Sequence, residues 1–304
     1  MKKLIPSRND CTTRDPDIFL HQGKYYHCFS PDGTTVCVSC AERLEDLATA
    51  DPLCVYTAEP GTPYSKQLWA PELHILDGLC YIYLACDDGD NYNHRMYVLE
   101  NGSNDPQAPY RMHGQIGDPT NRWAIDGTIL SHNGNRYMVW AGWEGSENVA
   151  QNLYIARMDS PYSFDTGRVM ISQPEYDWEK NGCLGGQELP YINEGPFPFY
   201  DGSDLYLIYS ASGCWCKDYC LAFLKLTGDD PLNPTHWKKH PAPIFSASEE
   251  CQGAGHCTVI QTKEKNLVFF HAWDASQHVT PDSGLLVSVW MGEITVENGV
   301  LSVK

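Results

Sequence analysis

The sequence is poor in basic residues. Its 304 residues include 21 Lys and Arg against 39 Asp and Glu, which gives a formal net charge of −18 at pH 7. Nucleic acids and anionic membrane surfaces attract basic proteins. The charge therefore argues against both as partners, and it is compatible with a neutral substrate.

The chain also lacks any run that approaches a transmembrane helix, which needs about 20 apolar residues. The basic start, Met1-Lys2-Lys3, is not followed by the apolar segment of a secretion signal. The 13 cysteines are an odd number, which fits reduced thiols better than a disulfide framework. We therefore expect a soluble, cytoplasmic protein whose cysteines act as small buried apolar residues.

Helical periodicity is missing too, and the signal throughout is that of β-structure. Short runs rich in Tyr, Val, Ile and Trp are bounded by Gly, Asn and Asp turns. Five units repeat the order turn, strand, strand at spacings of roughly 55 to 68 residues. The first runs cover 24–29, 79–84, 136–140, 205–209 and 267–271, and the second cover 36–40, 96–99, 153–156, 220–224 and 285–290.

This repeat predicts an all-β, five-bladed β-propeller, in which each unit is a blade around a central channel. We predict a single propeller domain over residues 1–304, with long loops between blades at 104–121 and 172–189. A two-sheet sandwich is the alternative. It does not explain why chemically distinctive residues recur at one phase of the repeat.

Three acidic residues recur at that phase. Asp15, Asp126 and Glu194 each lie eight residues before the glycine of a turn. The same position is Ala70 in the second unit and His256 in the fifth. Because the first strand of every propeller blade lines the axis, we expect these five side chains to converge on one site.

The motifs around these positions resemble those of glycoside hydrolase family 43, in the same order along the chain. They are Arg14-Asp15-Pro16-Asp17, Trp69-Ala70-Pro71-Glu72, Ile125-Asp126-Gly127-Thr128, Asn193-Glu194-Gly195-Pro196 and Gly255-His256. The resemblance covers essentially the whole chain. It implies a five-bladed propeller that hydrolyses arabinose- or xylose-containing glycans with inversion at the anomeric carbon.

The resemblance also implies three catalytic roles: Asp15 as general base, Glu194 as general acid, and Asp126 as the carboxylate that orients and tunes the acid. Inverting hydrolysis needs such a set, because one carboxyl must be protonated and another ionised. A third carboxylate nearby keeps the acid protonated by like-charge repulsion. Asp17 is an alternative to Asp15, since residues two apart on a strand share a face, but the shared spacing favours Asp15.

For substrate binding we assign Trp69, Trp143, Glu72 and His271. The tryptophans are chosen because an aromatic face packs against the C–H face of a sugar, although either could be a core residue. His256 resembles the histidine that touches a central calcium ion in many members of the family. Calcium is therefore the one cofactor we expect, with no organic cofactor.

The expected function is that of an inverting exo-glycosidase releasing terminal α-L-arabinofuranose, and the expected partner is an arabinose- or xylose-containing oligosaccharide. A β-xylosidase of the same family is the nearest alternative. A catalytically silent sugar-binding propeller and a protein scaffold are alternatives from other classes. The three phased acids argue against both, because neither function needs acids at the axis.

Overall fold

The computed structural model describes residues 1–7, 13–182, 190–279 and 286–304, and their regular structure is almost entirely β. The strands form five antiparallel blades of a propeller, which confirms the predicted fold class. Blades 3 and 4 are also joined by a short parallel contact that pairs Ala150 with Tyr191 and Gln151 with Ile192.

The strands follow the chain from blade 1 to blade 5. Before blade 1 comes β1 (Lys2–Ile5). Blade 1 holds β2 (Asp17–His21), β3 (Lys24–Phe29), β4 (Thr35–Ala41) and β5 (Leu53–Thr57). Blade 2 holds β6 (Lys66–Leu76), β7 (Leu79–Asp87), β8 (Arg95–Glu100) and β9 (Arg111–Gln115). Blade 3 holds β10 (Ala124–His132), β11 (Asn135–Gly142), β12 (Ala150–Ser160), β13 (Ser163–Phe164) and β14 (Val169–Ser172). Blade 4 holds β15 (Tyr191–Asp201), β16 (Asp204–Ala211), β17 (Cys220–Leu226) and β18 (Trp237–Lys239). Blade 5 holds β19 (Cys251–Gln261), β20 (Asn266–Asp274), β21 (Ser288–Glu297) and β22 (Val300–Val303).

The second strand of each blade is buried on both faces for most of its length. This burial explains why the predicted runs at 79–84, 205–209 and 267–271 are almost continuously apolar, since a strand covered on both faces has no polar side. The largest apolar cluster joins blades 2, 3 and 4. The core therefore lies between blades and leaves the axis to polar side chains.

The ring is closed by the beginning of the chain. β1 pairs antiparallel with β21, so blade 5 takes one strand from the start of the sequence and the rest from its end. One predicted loop is wrong, because 104–121 contains β9, which completes blade 2. The other, 172–189, includes a short 3-10 helix at Asp177–Glu179, and its residues 183–189 lie outside the described part.

Helical structure in the described ranges is limited to short 3-10 turns. They are Leu44–Ala48, Asn91–Asn93, Asp177–Glu179 and Pro234–His236. Within these ranges, no helix has the length and apolar character needed to span a bilayer.

Candidate active site

In every blade a residue with a positive φ lies in or just before the innermost strand, at the centre of the ring; blades 2 and 5 have a second one, Gln67 and Gly253. The kinked residues at the centre are Asp15 (51°), Ala70 (43°), Asp126 (57°), Gly195 (54°) and His256 (50°). In blades 2 to 5 the pairing with the second strand shifts register at this point. A bulge of this kind re-aims a side chain. In blade 4 the kink falls on Gly195, so Glu194 precedes it by one residue.

The kinks bring the phased side chains to one cavity. Asp15, Ala70, Asp126, Glu194 and His256 all line a space of about 830 Å³. This is the convergence that the shared spacing to the turns predicts. The five phased positions therefore bring three carboxyl groups and one imidazole to the cavity, which Asp32 lines as well.

Asp15 lies between two histidines. Its Oδ1 is 3.1 Å from Nδ1 of His256 and 3.3 Å from Nδ1 of His271. The backbone N–H of Asp15 donates to Nδ1 of His271, which makes that nitrogen an acceptor and fits a neutral ring. Burial alone would raise the pKa of Asp15, but the charge and the hydrogen bond of His256 outweigh it and hold this pKa well below its usual value.

His256 carries the complementary charge. Burial disfavours its imidazolium form, but Asp15 and Asp126 outweigh burial and raise its pKa to about 10. His271 is fully buried, and burial lowers its pKa to about 4. At neutral pH the cavity therefore holds an ion pair between Asp15 and His256 above a neutral His271.

Glu194 has the opposite environment. Burial and then the charge of Asp126 raise the pKa of Glu194 to about 8. Burial also raises the pKa of Asp126, to about 6. Oδ2 of Asp126 accepts a hydrogen bond from the backbone N–H of Gly195 at 2.9 Å, next to the acid that it influences. Near neutral pH, Glu194 is thus mostly protonated while Asp15 is ionised.

Tyr219 is a site residue that the sequence did not reveal. Its hydroxyl donates to Oε1 of Glu194 at 2.8 Å, and its ring is fully buried and stacks on His271. A Cβ on Gly255 would collide with this ring, so the glycine leaves the space that the tyrosine occupies. Tyr219 follows the Cys214-Trp215-Cys216 segment at no repeated phase, and no pattern signals it.

The predicted aromatic contacts differ from each other. Trp69 is half-buried, lines the cavity and stacks on His94 at 4.1 Å between ring centroids. Trp143 is only 1% exposed and stacks on Trp123 at 4.8 Å. Trp123 lines the cavity instead. The assignment of Trp143 to sugar contact is wrong, because the ring of Trp123 covers it. The sequence signal for Trp123 was its position three residues before Asp126.

Two further substrate assignments also need correction. The carboxyl group of Glu72 is occupied by the hydroxyl of Thr128 and by Nε2 of His74, at 2.7 Å from the histidine. His271 lies beneath Asp15 with no exposed surface. Neither residue is among the described side chains that line the cavity. Both are therefore supporting residues rather than sugar contacts.

Asp17 has different contacts from Asp15, and these give it a different role. Its Oδ2 accepts a hydrogen bond from the backbone N–H of Leu73 at 2.8 Å, and the side chain is buried. Asp17 thus fastens blade 1 to blade 2. Only Asp15 of the two acids lines the cavity.

His256 is the predicted metal contact. Its Nδ1 faces Asp15 and lies 3.8 Å from Oδ2 of Asp126. Over the described ranges, no three or more His, Cys, Asp or Glu side chains are grouped in a way that could hold an ion. Because calcium takes six to eight oxygen ligands, an ion beside this histidine would need water for most of them.

Comparison with known proteins gives consistent results. The model of the family "Glycosyl hydrolases family 43" matches residues 10–285. An extracellular exo-α-(1→5)-L-arabinofuranosidase of Streptomyces avermitilis is 33% identical over 84% of this chain and 54% of its own length. The enzyme of the same name from Streptomyces chartreusis is 31% identical over 85% of this chain and 79% of its own. The chain thus spans about half of the first relative and about four-fifths of the second.

Solved structures show the same architecture. An α-L-arabinofuranosidase from Lactobacillus brevis is 28% identical with a TM-score of 0.83, and the match covers 98% of this chain and 95% of that one. A thermostable family-43 glycoside hydrolase is 22% identical with a TM-score of 0.78 and supports the fold alone. The fold, the order of the motifs and the family model all agree.

Proposed function

The chain belongs to glycosyl hydrolases family 43, and from that premise we propose that it is an inverting exo-glycosidase releasing terminal α-L-arabinofuranose from arabinose-containing oligosaccharides. The observation that carries the proposal is the opposite tuning of two carboxyl groups in one cavity, Asp15 downward and Glu194 upward. The sugar is proposed from the relatives, which are named as exo-α-(1→5)-L-arabinofuranosidases.

In the proposed mechanism, Asp15 accepts a proton from the attacking water while Glu194 gives its proton to the leaving oxygen. The charged His256 keeps Asp15 ionised, and burial together with like-charge repulsion from Asp126 keeps Glu194 protonated. The reaction inverts the anomeric carbon, because water rather than a carboxylate forms the new bond. Trp69 presents an aromatic surface to the sugar from the cavity wall.

A hydrated calcium ion beside His256 is part of the proposal. The support is the nearby charge of Asp15 and Asp126, which would attract a cation. The ion would take the place of the proton that His256 carries in its ion pair with Asp15, because only a neutral histidine binds a metal. The ion would hold the centre of the blades, and water would supply most of its ligands. Elemental analysis should find the ion, and prolonged chelation should lower the Tm; if neither is seen, His256 acts only as the ion-pair partner of Asp15.

A cytoplasmic location is also proposed. It is supported by the cysteines of the described ranges, which are free thiols. Fractionation of the source cells, with activity followed in each fraction, tests it. Recovery of the protein outside the cells would overturn it.

The deciding experiment for the function is a comparison of two aryl glycosides. We expect hydrolysis of an aryl α-L-arabinofuranoside and little or none of an aryl β-D-xyloside. Proton NMR of the first-formed product should show the inverted anomer. Hydrolysis of the xyloside alone would identify a xylosidase, retention would contradict the mechanism, and binding of arabino-oligosaccharides without hydrolysis would identify a silent propeller.

A further inference from the structure

The hydroxyl of Tyr219 contacts Glu194 and lies beside Ser210. It donates to Oε1 of Glu194 at 2.8 Å. The backbone N–H of His256 donates to Oγ of Ser210 at 2.6 Å, and the hydroxyl of Ser210 interacts with that of Tyr219. The O–H of Tyr219 is therefore directed at one oxygen of the acid.

This direction restricts where Glu194 can carry a proton. With Oε1 accepting from Tyr219, a proton on the same oxygen would place two hydrogens between the two groups. The proton must therefore lie on Oε2. Tyr219 and Ser210 are fully buried, so no water can replace the tyrosine as the partner of Oε1.

We propose that Tyr219 is a positioning residue that directs the transferable proton of Glu194 to Oε2, and this proposal rests on the acid role proposed above. A carboxylic acid that can carry its proton on either oxygen is poised for transfer for only part of the time. A fixed proton removes this uncertainty before the substrate arrives, which is the preorganisation that acid catalysis uses.

The test is Tyr219→Phe, which keeps the ring and removes the hydroxyl. The expected result is a fall of about tenfold to a hundredfold in kcat on an arabino-oligosaccharide, because Glu194 becomes charged as it gives up its proton and one hydrogen bond to a charged group has about this effect. The loss should be much smaller on an aryl arabinofuranoside with an acidic phenol, which needs no proton. KM should stay near that of the wild type.

The pH profile gives a readout that a general packing defect would not move. The hydrogen bond from Tyr219 favours the ionised form of Glu194, so its loss should raise the pKa of this acid and move the alkaline limb to higher pH. Ser210→Ala should move the limb in the same direction by a smaller amount, because it weakens Tyr219 as a donor. This second variant keeps the test usable if Tyr219→Phe does not fold.

Tyr209→Phe is the matched control. Tyr209 is also fully buried in blade 4 and donates to a buried carboxyl group, Oε1 of Glu179 at 2.9 Å, outside the cavity. It should lower the Tm without moving the alkaline limb. A wild-type limb and leaving-group dependence in Tyr219→Phe, or an equal shift in Tyr209→Phe, would overturn the proposal. A wild-type protein inactive on both glycosides would instead remove the proposed function itself.

A separate observation concerns two cysteines of blade 1. Cys37 of β4 pairs with Cys54 of β5, next to a register shift between Val36 and Cys37, and the two side chains are close together. It is the one cysteine–cysteine register pair in the described strands. Directly opposed antiparallel residues have Cα atoms about 4.5 to 5.5 Å apart, which lies within the range that a disulfide spans.

We infer that Cys37 and Cys54 form a site of reversible oxidation to a disulfide. Cys54 is exposed and can be reached by an oxidant, whereas Cys37 is buried. With glutathione disulfide as the oxidant, the thiolate of Cys54 attacks one sulfur and releases one glutathione. The thiolate of Cys37 then displaces the second glutathione from Cys54, so two thiols are oxidised and one glutathione disulfide becomes two glutathione thiols.

The attack by Cys37 is the rate-limiting step. Burial and then the charge of Cys54 raise the pKa of Cys37 to about 11. Because the thiolate is the attacking species, the disulfide should form slowly near neutral pH and faster in mildly alkaline buffer.

The experiment is incubation of the purified protein with glutathione disulfide, followed by intact-mass measurement and peptide mapping. We expect a loss of about 2 Da, a peptide joining Cys37 to Cys54, and reversal by dithiothreitol. Cys40→Ser should behave like the wild type, because Cys40 lies opposite Tyr26, and Cys54→Ser should not form the link. A lasting glutathione adduct on Cys54, or no change in mass, would overturn the inference.

Discussion

Asp15 and Glu194 occupy equivalent places in blades 1 and 4, yet their surroundings drive them to opposite charge states. Asp15 contacts two histidine rings, one of them cationic, and its pKa is held well below the usual value. Glu194 is buried beside Asp126, and its pKa is raised to about 8. The backbone repeat delivers two carboxyl groups to one cavity, and their neighbours decide which gives a proton and which takes one.

The comparison predicts the pH range of activity. The base must be ionised, so activity should be lost as the pH falls through the depressed pKa of Asp15. The acid must be protonated, so activity should be lost as the pH rises through about 8, the pKa of Glu194. A profile of kcat/KM against pH measures both limbs.

The largest expected effect is that of Glu194→Ala on a natural oligosaccharide. Its alkoxide leaving group needs a proton, so activity should fall by roughly 10² to 10⁴. An aryl glycoside with an acidic phenol should be hydrolysed far better by the same variant. Rates measured over a series of phenols should follow leaving-group pKa, and an equal loss on every substrate would contradict the acid role.

Asp15→Ala should depress both kinds of substrate alike, because activation of water does not depend on the leaving group. The expected loss is again on the order of 10² to 10⁴. Asp17→Ala is the control for a neighbouring acid, since Asp17 bonds to the backbone of Leu73. It should lower the Tm more than the turnover; wild-type activity in Asp15→Ala would assign the base elsewhere.

Asp126→Asn should have a smaller effect and one of different kind. It removes a like charge from beside Glu194, so the pKa of that acid should fall and the alkaline limb of the profile should move to lower pH. Asp204→Asn removes a carboxylate that pairs with Lys225 on the surface of blade 4 and should leave the limb in place. An unmoved limb in Asp126→Asn would show that burial alone tunes the acid.

The smallest predicted effect concerns the kink of blade 2. Ala70 has a φ of 43°, which costs an L-residue about 1 to 2 kcal/mol and glycine almost nothing. After the entropy of the unfolded chain is counted, Ala70→Gly should raise the free energy of unfolding by roughly 0.5 to 1 kcal/mol. Ala222→Gly, in the buried strand β17, should lower it. Denaturant unfolding measures both, and destabilisation of equal size would refute the strain at Ala70.

The predictable part of the molecule is the part that repeats. The turn spacing gave the five blades and placed three acids and His256 at one phase, because a residue at a fixed distance from a turn keeps its depth in the blade. Closure of blade 5 by β1 could not be predicted, since Lys2–Ile5 has no counterpart in the repeat. The same reason hid Tyr219, which enters from a connection between strands.

The predicted roles of site residues are wrong where the contacts of a side chain, rather than its position in the repeat, decide what it does. Trp143 and Trp123 are both large aromatics near the predicted site, and only their stacking order shows which one faces the cavity. Glu72 lies two residues beyond the kink of blade 2, but Thr128 from blade 3 takes up its carboxyl group. Contacts between blades of this kind leave no trace in the spacing of either segment.

The positive φ at the five blade centres also restricts which residue types can occupy these positions. Among residues with side chains, Asp, Asn and His adopt a left-handed φ most readily, and β-branched residues are nearly excluded. The backbone therefore admits the very side chains that carry protons, and it places the longer acid, Glu194, one position before a glycine. A library meant to give this cavity new chemistry should vary Ala70 among Gly, Asn, Asp and His first, because the ring already tolerates their conformation there.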